Sequence, residues 1–164
     1  MARVVNAASA ADRVKASLQG DFEFACDYAT ERYSDLVESE IELVVLGSLL
    51  IFGRLMRMNI YIGEEDPVGP HDVRLIPQYQ WQNYRIDFCI RGITGDQIFV
   101  ECDGHEFHER TKEQAERDRS KDRAIQAAGI PILRFTGREI WRDGSQIAVE
   151  ILKFMSSDRA QNNG

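Results

Sequence analysis

The sequence predicts an α/β domain in which helices flank a mixed central sheet. Three observations predict it. Runs rich in Val, Ile, Phe, Tyr and Trp at 73–81, 84–91 and 97–103 are separated by turn residues and read as strands. Two capping-box patterns, Ser39-Glu40-Ile41-Glu42 and Thr111-x-x-Gln114, each open a longer segment that reads as helix. The resulting order of helix, three strands, helix, strand, helix is that of one sheet with helices packed on it.

Taken in chain order, residues 1–33 are polar and acidic with scattered apolar positions (Val14, Leu18, Phe22, Phe24), and predict one or two helical pieces outside the main domain. The first capping box precedes the run Leu43 to Met58, which predicts a mostly buried helix. Asn59 to Asp72 carries Gly63, Pro67, Gly69 and Pro70 and predicts a loop. The three strands follow. The second helix runs from Thr111 to Ala128, where Gly129 and Pro131 stop it. Ile130 to Phe135 reads as a buried strand. Ser145 to Met155 reads as an amphipathic helix with Ile147, Ile151 and Leu152 on one side. The domain is expected over 34–156, with 157–164 a frayed tail.

At 164 residues the chain fits one domain able to bury a real core. No apolar run approaches the roughly 20 residues of a membrane-spanning helix. The N-terminus lacks the pattern of a secretory signal. Three cysteines (Cys26, Cys89, Cys102) at no metal-ligand spacing suit a reducing, cytoplasmic setting. The net charge of −7 argues against a nucleic-acid partner until its distribution is considered. Residues 105–142 carry 9 basic and 7 acidic side chains, while residues 1–42 carry 4 and 9. Ion pairs on a solvated helix would also produce the basic segment.

The most informative stretch is Tyr84 to Asp103. A hairpin centred on Thr94 sets Phe88 opposite Val100 and Ile90 opposite Ile98, a consistent apolar face. The other face then sets Asp87 opposite Glu101, with Asp103 opposite Arg85. Like charges facing each other on a sheet are destabilising, so something must neutralise them. A divalent cation such as Mg²⁺ (or Mn²⁺) held by Asp87, Glu101 and Asp103 would do so. Pairing with Arg85 and other bases is the alternative. Gly104 lets the chain turn off the strand end, and His105 and His108 follow. They read as a general base, metal ligands or phosphate contacts, or as loop histidines at the surface. Gln114, Arg117 and Lys121 share one face of the next helix and suit a phosphodiester backbone. Pairing within the helix, Glu113 with Arg117 and Asp118 with Lys121, explains the same residues.

The run Pro77-Gln78-Tyr79, Tyr84-Arg85-Ile86-Asp87-Phe88, Val100-Glu101-Cys102-Asp103-Gly104, His108, Asp118-Arg119 and Gly129-x-x-Ile132-Leu133-Arg134-Phe135 resembles the PD-(D/E)XK nuclease superfamily. Within it, the sequence is similar to the branch around the very-short-patch repair endonuclease. The resemblance covers about residues 39–142. It implies a restriction-endonuclease-like core and metal-dependent cleavage of nucleic acid, usually DNA, with RNA not excluded. It places Asp87 as the motif's first acid and Glu101 as its second. Glu42 corresponds to an acid that some members add from the first helix, although the capping box accounts for it equally. His108 corresponds to a histidine after the strand and is the first choice for proton transfer. Gln114, Arg117, Lys121 and His105 would contact the phosphate. One departure matters. Where the motif has lysine two residues after the second acid, this chain has Asp103. His108, His105, Lys112 or Lys121 would have to supply the missing function, or the domain is a non-catalytic module that binds nucleic acid or a partner protein. Residues 1–33 lie outside the resemblance and are left as a partner-binding arm, a homodimer contact or a lid.

Overall fold

Ser39 opens the first long helix as its sequence demands: the side chain accepts from the Glu42 amide while its hydroxyl donates to Glu42 Oε1 at 2.6 Å. In the computed structural model, which describes residues 12–13, 19, 23–24, 26–63, 69–93, 95–104 and 111–162, this helix, α1, spans Glu40–Leu55. Five strands follow: β1 (Ile60–Ile62), β2 (Val73–Trp81), β3 (Tyr84–Gly92), β4 (Gln97–Asp103) and, after α2 (Lys112–Ala127), β5 (Ile132–Thr136). The last helix, α3, runs from Gly137 to Asn162. The strands lie side by side in chain order. β2, β3 and β4 form an antiparallel meander, and β1 and β5 add parallel strands at its edges.

The α/β class and the mixed sheet are as expected, and so is the hairpin register. Phe88 pairs with Val100 and Ile90 with Ile98. These four side chains join Val45, Leu46, Leu49, Ile151 and Leu152 in the main core, so α1 and α3 cover this face. Ile86, Cys89 and Phe99 form a second core with Ile125 of α2 on the opposite face. Burying a set of this size is the main favourable term in folding, at about 25 cal/mol per Å² of apolar surface.

Three elements, β1, β5 and α3, differ most from expectation. Ile60–Ile62, expected as loop, is a strand: its β-branched and aromatic residues pair with β2 before Gly63 turns the chain. β5 begins at Ile132 rather than Ile130, because Ile130 still belongs to the exit of α2. There Gly129 takes φ +66 and the Ile130 amide donates to the Ile125 carbonyl. A further helical turn precedes the expected one at 145. Thr136 and Glu139 form a reciprocal cap, and Asp143, at φ −161 and ψ 76, breaks the helix and recaps it through Gln146 and Ser145. The helix then continues past Met155 to Asn162. Of the N-terminal segment, residues 26–33 are helical, and buried Ala29 lies against α1 beside Gly47.

Candidate active site

Asp87 sits where both central strands change faces. On β2, Leu75 joins the main core and Ile76 the second. Beyond Gln78, the odd-numbered Tyr79 and Trp81 join the second core instead. On β3, Cys89 and Ile86 both face the second core across Phe88, which faces the first. Alternation therefore inverts at Gln78 and Asp87, the one position missing from an otherwise continuous β2–β3 register. Gln78 takes φ +47, a left-handed backbone rare outside glycine.

The inversion turns Asp87 away from a simple cross-strand pair. The β3–β4 register ends at Phe88 opposite Val100, and the Asp87 Oδ2 accepts the amide of Cys102, two residues further along β4, at 2.7 Å. Glu101 stands beside it on β4, 9% exposed. Burial pushes the Asp87 carboxyl up to about 6 from an ordinary 3.8; Glu42 and Glu101 add to this, and the Cys102 amide and Lys121 oppose it. Burial and the same three acids push the Cys102 thiol upward, so it stays protonated at neutral pH.

Lys121 of α2 reaches across and hydrogen-bonds Glu101 Oε1. Arg134, the parallel neighbour of Glu101 on β5, donates its Nε to Oε2 at 3.1 Å and its Nη2 to Asp122. The second acid is thus held between two cations. Arg85, the expected partner of Asp103, instead makes a two-pronged pair with Glu38 at the surface. The strand inversion sends it to the α1 side.

Two adjoining clefts meet at Asp87, Asp118 and Lys121, which line both. One, of about 580 Å³, is further lined by Gln80, Asn83, Tyr84, Arg85 and Arg117. The other, of about 400 Å³, is further lined by Glu101, Cys102, Asp103, Asp122 and Arg134. The structure therefore brings together Asp87, Glu101, Asp103 and Lys121, with Arg117 in the adjoining cleft. It does not bring Gln114 there: that carboxamide accepts the Thr111 amide in the capping box, and Gln114 lines neither cleft. Lys112 lines neither as well. His105 and His108 lie outside the described residues.

Glu42 caps α1 as its sequence pattern predicts, and it lies near Asp87 without lining either cleft. Its carboxylate takes the Ser39 hydroxyl and the Glu38 amide, as a cap does, yet at 5% exposure it also meets Gln78 Nε2 at 2.6 Å and bears on Asp87. Sequence reasoning gave no role to Gln78 or Arg134. The available signal for Gln78 was its place in the Pro77-Gln78-Tyr79 run, one of the runs that carry the family resemblance.

Among the described residues, no group of three or more His, Cys, Asp or Glu side chains is placed to hold a metal ion. The expected triplet of Asp87, Glu101 and Asp103 thus reduces to the Asp87–Glu101 pair, with Asp103 at the strand end beside Thr136. A pair is enough for Mg²⁺, which usually keeps several waters and takes one or two carboxylates. The donor set also has the right chemistry, since a buried carboxyl raised by neighbouring acids is relieved by a cation.

No curated protein and no solved structure gives a significant match to the chain. A family model does: REase_MTES_1575 matches residues 68–155, just over half of the sequence, from the approach to β2 into α3. That span contains Asp87, Glu101, Asp103, Lys121 and Arg134 but not Glu42. The chain belongs to this restriction endonuclease-like family, and with it to the PD-(D/E)XK nuclease superfamily.

Proposed function

We propose that the protein is a metal-dependent endonuclease that hydrolyses phosphodiester bonds of DNA. The observation that carries the proposal is the contact of Lys121 with Glu101 beside Asp87. The strand position that holds the motif lysine is Asp103, and a lysine arrives at the acids from α2 instead. Two acids and a lysine converge even though the sequence spacing is broken.

In this reading Asp87 and Glu101 hold Mg²⁺, or Mn²⁺ in its place. The bound ion would activate a water and stabilise charge on the phosphoryl oxygens. The Cys102 amide fixes one Asp87 oxygen and leaves the carboxylate aimed at the clefts. Lys121 steadies the developing negative charge, and Arg134 braces Glu101 from the far side. Arg117 and Arg85 supply positive charge along the larger cleft for the backbone of a strand crossing the site. Asp103 lines the second cleft as an accessory acid, and His108 is assigned proton transfer. Membership in the very-short-patch-like branch, a cytoplasmic location suited to three free thiols, and a homodimer or protein contact through residues 1–33 belong to the same proposal.

One observation favours a second reading, a non-catalytic nuclease-fold module. Both Glu101 oxygens already have cationic partners, so Lys121 and Arg134 neutralise this acid without a metal. Incubating supercoiled plasmid, single-stranded DNA and RNA with the protein and Mg²⁺ or Mn²⁺ separates the two. Cleavage that is lost with chelator and in a folded Asp87→Ala protein supports the nuclease. Cleavage that persists in Asp87→Ala, or its absence with every substrate and both metals, overturns it.

A further inference from the structure

Two costs converge on Gln78. Its backbone is left-handed at φ +47, where a side chain is strained. Its Oε1 is buried with no hydrogen-bond partner among the described residues. A buried acceptor without a donor costs free energy, and native proteins rarely keep one without cause. Strain retained beside an active site is a sign of function.

The compensating gain is visible at the other end of the same carboxamide. Nε2 donates to Glu42 Oε2 at 2.6 Å, across 36 residues of sequence, and ties the sheet to the N-terminus of α1. Glu42 Oε1 is meanwhile held by Ser39. The Glu42 carboxylate is therefore clamped from two sides. The left-handed turn at Gln78 is also the point where β2 changes faces, directly across from the change in β3 at Asp87. A Gln with ordinary strand dihedrals would continue the alternation and could not serve both ends.

We propose that Gln78 is a positioning residue: its left-handed backbone aims the carboxamide at Glu42 and so fixes that carboxylate against Asp87. What the aligned acids then do rests on the nuclease reading above. Gln78 touches neither substrate nor ion and acts through Glu42.

Two substitutions separate backbone from reach. Gln78→Asn and Gln78→Gly both accept a positive φ, so neither adds backbone strain and both should still fold, as thermal melts check. Neither carries an amide that reaches Glu42. If Gln78 positions Glu42, both variants lose Mn²⁺ affinity in calorimetry by about 10–100-fold, the usual effect of removing a residue that orients a ligand, and cleavage falls in parallel. Glu42→Gln loses a similar amount, and adding Gln78→Asn to it changes nothing further. Wild-type Mn²⁺ affinity in both single variants, or full additivity in the double variant, overturns the proposal. If the wild-type protein neither binds Mn²⁺ nor cleaves, the nuclease reading fails separately. The positioning claim is then decided by a double-mutant cycle in denaturant: Gln78→Asn should change stability differently in the wild type and in Glu42→Ala, which leaves Nε2 nothing to donate to, and equal changes in both backgrounds overturn it.

Discussion

Replacing Asp87 by asparagine should stabilise the fold at alkaline pH and do nothing for it in acid. The folded carboxyl titrates at about 6 and an unfolded one near 3.8. Between those values the folded state keeps a proton that the unfolded state has released, so stability falls as pH rises through the window. Above it the full cost of an ionised Asp87 is present, roughly 3 kcal/mol at 1.36 kcal/mol per pH unit; below about 3.8 it is absent. Asparagine removes the charge but keeps an oxygen for the Cys102 amide. The favourable effects of that amide and of Lys121 on the ionised carboxyl are already contained in the net shift. The expectation is therefore a gain of about 2–3 kcal/mol at pH 8, a rise in Tm of roughly 4–12 °C for a domain of this size. Thermal melts of both proteins in chelator, at pH 8 and pH 4, measure it. The difference should shrink toward zero at the lower pH. A variant that is less stable than the wild type at pH 8, or equally shifted at both values, refutes the argument that burial and neighbouring acids strain this carboxyl.

Other consequences follow from the same geometry. Lys121→Ala leaves Glu101 paired with Arg134 and should cost about 1–3 kcal/mol in chemical denaturation, as expected for a hydrogen bond between charged, mostly buried groups. Arg85→Ala removes a surface pair with Glu38 and should change stability by less than about 1 kcal/mol; a larger loss would contradict the assignment of Glu38 as its main partner. Gly129→Ala forces a Cβ onto φ +66 at the end of α2 and should cost about 1 kcal/mol by the same measurement, although nothing crowds the position.

The parts of the fold that local pattern dictates were legible in the sequence. Alternation of Phe88 and Ile90 against Val100 and Ile98 set the hairpin register, because one slipped residue would bury the opposite face. That register is what brought Asp87 and Glu101 together on paper. The inversion at Gln78 and Asp87 was not legible, since it depends on a backbone conformation that a glutamine seldom adopts. Its consequences were missed with it, including the departure of Arg85 to Glu38 and the link from Gln78 to Glu42. Lys121 was placed on a suitable helix face, but whether it would pair within α2 or with the sheet is decided by how α2 packs through Ile125, a tertiary matter. Gln114 shows the converse: the capping box that announced the helix also consumes the side chain that was expected to meet phosphate. Ile60–Ile62 was too short a run, beside too many turn residues, to stand out before its pairing with β2 was known.

The central claim is that a lysine from α2 completes the acid pair, and single-turnover cleavage of supercoiled plasmid by the wild type and by Lys121→Ala tests it most directly. With Mg²⁺ at saturating protein, the wild type should nick or linearise the plasmid, and the variant should do so about 10²–10³-fold more slowly, the usual loss when a group that stabilises transition-state charge is removed. A variant that cleaves as fast as the wild type, or a folded wild type that does not cleave at all, would contradict it.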